Sequence, residues 1–136
     1  MKFFVHDIFV WKLLEGCHLV AIFHIKEHQK GRKIIMFASK YFNIGQVVVT
    51  HGINNTMTEN ERFALEVALC LRRYCIKDWG NLSEEDKQTN EEALKYPDDL
   101  YLLGSYQTSV GKIWIITNAT ETVGENVTTV LFPDER

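Results

Sequence analysis

Residues 58–76 read TENERFALEVALCLRRYCI, and this stretch carries the clearest secondary-structure signal in the chain. Its apolar side chains recur at the spacing of one helix face, which predicts an amphipathic helix over about 59–76. Thr58 followed by Glu61 has the spacing of a capping box, so we expect Thr58 to be the N-cap. Gly80 follows the helix and is expected to provide the left-handed residue that ends it. The apolar positions are Phe63, Val67, Leu71 and Tyr74.

Short strands are predicted on both sides of this helix. The runs HLVAIFHIKE and KIIMFA flank a polar turn, which predicts a β-hairpin over residues 18–38. FNIGQVVVT, residues 42–50, predicts another strand, whereas HGINNTM, residues 51–57, is rich in Gly and Asn and predicts a loop. KIWIITN, residues 112–118, is apolar on both faces and is expected to be the central strand of a three-stranded meander. The first ten to fifteen residues fit a helix and a strand equally well.

These elements predict an α+β fold in which an antiparallel sheet packs on the long helix. At 136 residues we expect a single domain over 1–136, with a family-like core over 41–136. Residues 1–40 form an apolar, basic extension with seven Lys/Arg and three Asp/Glu. The uncharged run from Gly16 to Ile25 is too short to cross a bilayer, which takes about 20 residues. We therefore expect a cytoplasmic protein without a secretion signal, with its three cysteines as free thiols.

An acidic segment, DWGNLSEEDKQTNEEALKYPDD, occupies residues 78–99 and holds eight carboxylates against two lysines. Ser83 followed by three acids predicts a second helix to about Lys95, because each acid near a helix N-terminus stabilises it by roughly 0.3–1 kcal/mol. This helix has few apolar anchors, so most of it must face water. A solvated helix and a partner-facing acidic surface are both compatible with the pattern, whereas catalysis would require the carboxylates to meet in a cleft. The anchors are Leu82, Ala93 and Leu94.

The candidate partner-binding residues come from this acidic segment. Trp79 is included with them, although it could instead have a structural role and fill the gap between the two predicted helices. The expected partner is a protein with a basic groove, and such binding should weaken steeply with salt. The candidates are Asp78, Trp79, Glu84, Glu85, Asp86, Glu91 and Glu92.

Signals for catalysis, metal binding and direct nucleic-acid binding are weak. No phosphate-binding glycine motif or nucleophile elbow occurs, so we predict no catalytic residue and no cofactor. His18, His24 and His28 share a strand parity near Cys17, but they lack the paired spacing of a structural zinc site. The basic hairpin carries aromatic side chains that could grip a nucleic acid, but the acidic helix would repel its phosphates. We therefore expect no metal site and no direct nucleic-acid binding.

Four stretches resemble a group of small plasmid and prophage proteins: FNIGQVVVT, KDWGNLSEEDKQTNEEAL, SYQTSVGKIWIITNATE and VTTVLFPDE. The group is labelled "plasmid-related protein" or, loosely, "type I restriction subunit M", and the resemblance covers residues 41–136. Its Asp-Trp-Gly-Asp-Leu hallmark is similar to residues 78–82, with Asn81 in place of the second Asp. Asn118 stands where the group usually has an acid.

The resemblance implies a protein of a mobile genetic element and transfers no catalytic residue. It favours a non-catalytic inhibitor of a nucleic-acid-directed host defence system, similar to an anti-CRISPR protein. The alternatives are an accessory protein of a restriction-modification system and an enzyme of unrecognised type.

Overall fold

The computed structural model describes residues 2–5, 8–11, 21–27, 31–122 and 124–136, and of residues 2–36 it describes the backbone alone. Strands β1 (Lys2–Val5), β2 (Ile8–Trp11), β3 (Ala21–Glu27) and β4 (Gly31–Phe37) form an antiparallel sheet in the order β1-β2-β3-β4. β3 and β4 correspond to the hairpin predicted over residues 18–38, of which 18–20 and 28–30 lie outside the described residues.

A second sheet contains β5 (Gln46–Val49), β6 (Tyr101–Gln107), β7 (Lys112–Ala119) and β8 (Asn126–Leu131), in the order β5-β8-β7-β6. β6, β7 and β8 form the predicted antiparallel meander, with β7 between its two neighbours. β5 pairs with β8 in the parallel sense, so this sheet is mixed. A parallel pair needs a long crossover connection, and the helices between β5 and β6 lie in that connection.

Three helices follow β5: α1 (His51–Glu59), α2 (Glu61–Cys75) and α3 (Glu84–Ala93). The α+β fold is therefore confirmed, and α2 buries the four predicted apolar positions. The predicted cap is wrong. Asn60 caps α2 by accepting a hydrogen bond from the Phe63 N–H, while Thr58 belongs to α1 and donates to the Asn54 carbonyl.

The loop predicted over residues 51–57 is also wrong, because these residues form most of α1. Thr50 is the N-cap and accepts from the Ile53 N–H at 3.4 Å. Ile53 and Met57, one helical turn apart, are 0% and 1% exposed. Burial of these two side chains and additional capping contacts outweigh the low helix propensity of Gly and Asn.

The end of α2 does not use Gly80, in contrast to the prediction. Lys77 adopts the left-handed conformation with φ +64°. Its N–H donates to the Tyr74 carbonyl and the Asp78 N–H donates to the Arg73 carbonyl, which is the pattern of a Schellman motif. Gly80, at φ +74°, instead passes so close to β6 that a Cβ there would lie 2.0 Å from the Ser105 carbonyl oxygen.

The core lies between α2 and one face of the second sheet, and a chain of hydroxyl groups crosses it. Thr128 donates its only hydroxyl proton to the Ile44 carbonyl. Thr117 must therefore donate to Thr128, and Tyr74 must donate to Thr117, each at 2.7 Å. The three hydroxyl residues are 0% exposed, and the chain satisfies every one of these buried groups. Within the described residues, no helix has the length and hydropathy needed to span a bilayer.

Candidate partner-binding surface

Helix α3 begins where the sequence predicts. Ser83 is its N-cap and accepts a hydrogen bond from the Asp86 N–H at 3.1 Å. Glu84, Glu85 and Asp86 fill the first turn, where the helix dipole favours negative charge. The cap and the acids together explain why so polar a segment is helical.

Four glutamates of α3 form an acidic ridge, which we define as Glu84, Glu85, Glu91 and Glu92. Successive residues of a helix are rotated by about 100°, so the four lie within about 120° of arc on the side opposite Asn90. All four are exposed, and the Glu84 side chain is 92% exposed. The ridge therefore points away from the protein body.

Neighbouring lysines compensate part of the charge on the ridge. Glu84 pairs with Lys87 at 3.2 Å. Two further glutamates pair outside the first turn, each at 3.0 Å: Glu91 with Lys77 and Glu92 with Lys95. Exposed ion pairs of this kind contribute only about 0–1 kcal/mol each, so the lysines can release the carboxylates to a partner.

Asn90 fixes α3 to the sheet, and the sequence reasoning missed it. It is 3% exposed, its amide donates to the Leu103 carbonyl at 2.8 Å, and its oxygen accepts from the Leu103 N–H at 3.1 Å. The side chain thus takes the place of a neighbouring strand at the free edge of β6. One signal could have identified it, because Asn90 lies three and four residues before the apolar anchors Ala93 and Leu94.

The segment before α3 also covers the edge of β6. The Ser105 N–H donates to the Trp79 carbonyl at 3.0 Å, and the Asn81 N–H donates to the Ser105 carbonyl at 2.7 Å. Trp79 is 4% exposed, and its ring packs against Tyr74 and Phe42 at centroid distances of 5.3 and 6.1 Å. Trp79 therefore supports the surface from beneath.

Asp78 is held in the turn between α2 and α3. Its carboxylate accepts from the Arg73 guanidinium at 2.7 Å and from the Gly80 N–H at 3.1 Å. The hydrogen bond from Arg73 is the main reason that its pKa is lowered, with a further contribution from Gly80. The Tyr106 hydroxyl donates to the Asp78 carbonyl at 2.7 Å, so this residue joins three parts of the fold.

The structure thus separates the seven predicted site residues into groups. Four form the acidic ridge, and Asp86 is exposed beside them, closer to the Asn90 side of the helix. Asp78 and Trp79 lie under or beside the turn that carries the ridge.

Other candidate chemistry lies elsewhere or outside the described residues. Cys17, His18 and His28 fall outside them, and among those described no cluster of three or more His, Cys, Asp or Glu could hold a metal ion. Cys70 and Cys75 are buried free thiols, and burial raises their pKa to about 11 and about 12. Both thiols are therefore protonated and poor nucleophiles at neutral pH.

A shallow groove of about 420 Å³ lies on the sheet face that α2 does not cover. Ile116 and Leu131 contribute to its lining, and Tyr101 and Arg136 also border it. It contains none of the predicted site residues. The groove is therefore separate from the acidic ridge, whose four carboxylates are all exposed.

Comparison with known proteins finds no matching protein family, no matching curated protein and no matching solved structure.

Proposed function

We propose that this chain is a non-catalytic binding protein whose acidic ridge docks into a positively charged groove of a protein partner. One observation carries the proposal: four carboxylates project from one side of α3, and Asn90 ties the other side to β6. The helix holds five carboxylates against one lysine, so its charge is strongly negative. Such a surface attracts a cationic partner and orients it during encounter.

The attachment of α3 favours binding as well as stability. Two hydrogen bonds between Asn90 and Leu103 and the bridge between the 79–81 segment and Ser105 hold the ridge on the sheet before any partner arrives. A preorganised surface loses less conformational freedom on docking than a flexible acidic tail does. The favourable free energy of charge attraction is then not offset by an entropic cost of ordering the helix on binding.

The proposed partner is a nucleic-acid-directed complex of a host defence system. A groove that binds nucleic acid is lined with Lys and Arg, and carboxylates on a rigid helix can occupy the positions of phosphates there. The resemblance of residues 41–136 to proteins of plasmids and prophages points the same way. The protein would act in the cytoplasm as an inhibitor of the anti-CRISPR kind, without binding nucleic acid itself.

The first experiment removes charge from the ridge without disturbing the cap. A Glu84→Gln, Glu85→Gln, Glu92→Gln triple variant should weaken capture of the partner by about tenfold or more, because long-range attraction and surface complementarity are both reduced. The control triple variant Glu59→Gln, Glu121→Gln, Glu125→Gln changes the net charge equally at exposed positions away from α3. Unchanged binding of the ridge variant, or equal loss in both variants, would refute the proposal.

The second experiment identifies the partner. The tagged chain is used to capture proteins from a host lysate at low salt, and the ridge variant serves as the negative sample. Guided nucleases that are captured by the natural chain alone, and whose cleavage it inhibits, would support the inhibitor. Restriction-modification subunits captured in the same way would support the accessory role that the resemblance also suggests.

A further inference from the structure

The segment 132–136, which we call the strap, crosses the start of α1. The Glu135 carboxylate accepts from the Gly52 N–H at 2.9 Å, from the Phe132 N–H at 2.9 Å and from the Thr50 hydroxyl at 2.5 Å. The Phe132 ring stacks on Phe63 of α2 at a centroid distance of 5.8 Å. The strap thus joins the beginning of α1 to the core.

Two of these contacts complete the N-terminal cap of α1. Thr50 already accepts from the Ile53 N–H, and its hydroxyl proton is directed to Glu135. Glu135 takes up the Gly52 N–H, which has no partner within the helix. Its negative charge also lies at the positive end of the helix dipole. α1 has no acid of its own in its first turn, so the strap supplies one from a distant part of the chain.

The composition of α1 makes this external cap important. Its nine residues include one Gly, two Asn and two Thr, all poor helix formers, and helices this short are marginal without tertiary support. Only Ile53 and Met57 are buried. Apart from its cap, α1 is held by these two side chains, which join the core where α1 packs on α2.

We propose that the strap holds α1 in its helical state and that α1 opens as a separate unit when Glu135 leaves the cap. Opening exposes Ile53 and Met57 to solvent while α2 and the second sheet stay folded. The strap is thus a conformational latch on an apolar surface that is distinct from the acidic ridge.

Hydrogen exchange of the full chain tests the latch. In Glu135→Ala, the amides of residues 54–59 should exchange about tenfold or more faster, the change expected from loss of a helix cap. Amides of α2 should keep their rates. The matched control is Asp134→Ala, which removes an exposed carboxylate from the adjacent position. Equal acceleration in α1 and α2, or no acceleration in α1, would overturn the proposal.

The substitution Gly52→Ala provides a second test, because it should change the exchange rate of α1 in opposite directions in two backgrounds. A Cβ at this position would lie 2.2 Å from the Glu135 Oε1, so Gly52→Ala must displace the carboxylate from its present position at the Gly52 N–H. In the natural chain it should therefore accelerate exchange in α1. In the Glu135→Ala background the same substitution should slow exchange roughly twofold to fivefold, because Ala favours a helix over Gly.

If Gly52→Ala accelerated α1 exchange in both backgrounds, displacement of the Glu135 carboxylate could not be the cause of the acceleration. The latch would then be refuted. The Gly52→Ala chain retains Glu135, so its comparison with the natural chain remains informative even if Glu135→Ala fails to fold.

Discussion

Helices α2 and α3 lie one after the other in the chain, yet they are held in place by different interactions. α2 buries eight of its fifteen residues, whereas α3 buries one of its ten. The position of α2 results from many apolar contacts, each replaceable by a similar one. The position of α3 depends on one side-chain amide, on a short backbone bridge to β6 and on the partly buried Leu82, Ala93 and Leu94.

The two modes of attachment explain how one domain can combine a stable body with a highly charged surface. Hydrophobic burial is proportional to area and needs no particular partner, so α2 can stabilise the core. Directed hydrogen bonds at a sheet edge let α3 keep all five of its carboxylates in water.

The largest effect should come from the buried face of α2. Leu71 is 0% exposed and Leu69, two positions away, is 57% exposed. Leu71→Ala should lower the free energy of unfolding by about 3 kcal/mol, because it removes buried methyl groups and leaves a cavity. Leu69→Ala should change it by about 0.5 kcal/mol or less. Urea denaturation followed by circular dichroism measures both, and similar losses in the two variants would contradict the assigned faces.

Helix α2 and its buried face were predictable from the sequence, since the repeat of apolar residues from Phe63 to Tyr74 specifies a buried stripe. The meander was predictable for the same reason, because Ile113, Ile115 and Ile116 make both faces of β7 apolar. α1 was not, since part of its N-terminal cap comes from Glu135, which lies more than 80 residues away in the chain. Local pattern carries no information about such a distant cap.

The anchor of α3 should have the second largest effect. Asn90→Ala leaves the Leu103 N–H and carbonyl without their partners, which should lower the free energy of unfolding by about 1–3 kcal/mol. The Leu103 amide should also exchange faster, while the Ser105 amide stays protected by Trp79. Gln88→Ala, at an exposed position of the same helix, is the control. Unchanged protection of Leu103 would show that α3 is held by other contacts.

The candidate site was predictable in composition and only partly in arrangement. The run of carboxylates predicted an exposed acidic helix, and Ser83 predicted its first residue. The sequence could not show that Trp79 is buried, because an aromatic residue in a turn suits a binding surface as well as a core. That distinction depends on the rings of Tyr74 and Phe42, which come from separate parts of the chain.

A smaller effect is expected at the junction between the two helices. Lys77 has φ +64°, a conformation that disfavours residues with a Cβ by about 1–2 kcal/mol. Both Lys77→Gly and Lys77→Ala lose the ion pair with Glu91, but only the glycine relieves this strain. We expect the glycine variant to be more stable than the alanine variant by about 1 kcal/mol in urea denaturation. Equal stability would mean that the left-handed turn is not strained.

The smallest effect should be a pH dependence at Asp78, beside the same junction. Hydrogen bonds from Arg73 and from the Gly80 N–H lower the pKa of its carboxyl, although partial burial opposes them. A pKa that is lower in the folded state than in the unfolded state makes a stabilising contribution above the ordinary value of 3.8. That contribution is lost as the pH falls through the folded pKa. Because the carboxylate is 44% exposed, solvent screens the interaction and the effect stays small.

The Asp78→Asn variant keeps the shape of the side chain and removes its charge. Its deficit in stability relative to the natural chain should be largest near pH 6 and should shrink on acidification below about pH 4. In an Arg73→Gln background the deficit should be smaller and vary less with pH, because the main cause of the lowered pKa is gone. Urea midpoints measured from pH 6 to about pH 3 provide the comparison. If the urea midpoints of the natural chain and of Asp78→Asn changed in parallel with pH, the Arg73–Asp78 pair would not hold the turn between α2 and α3.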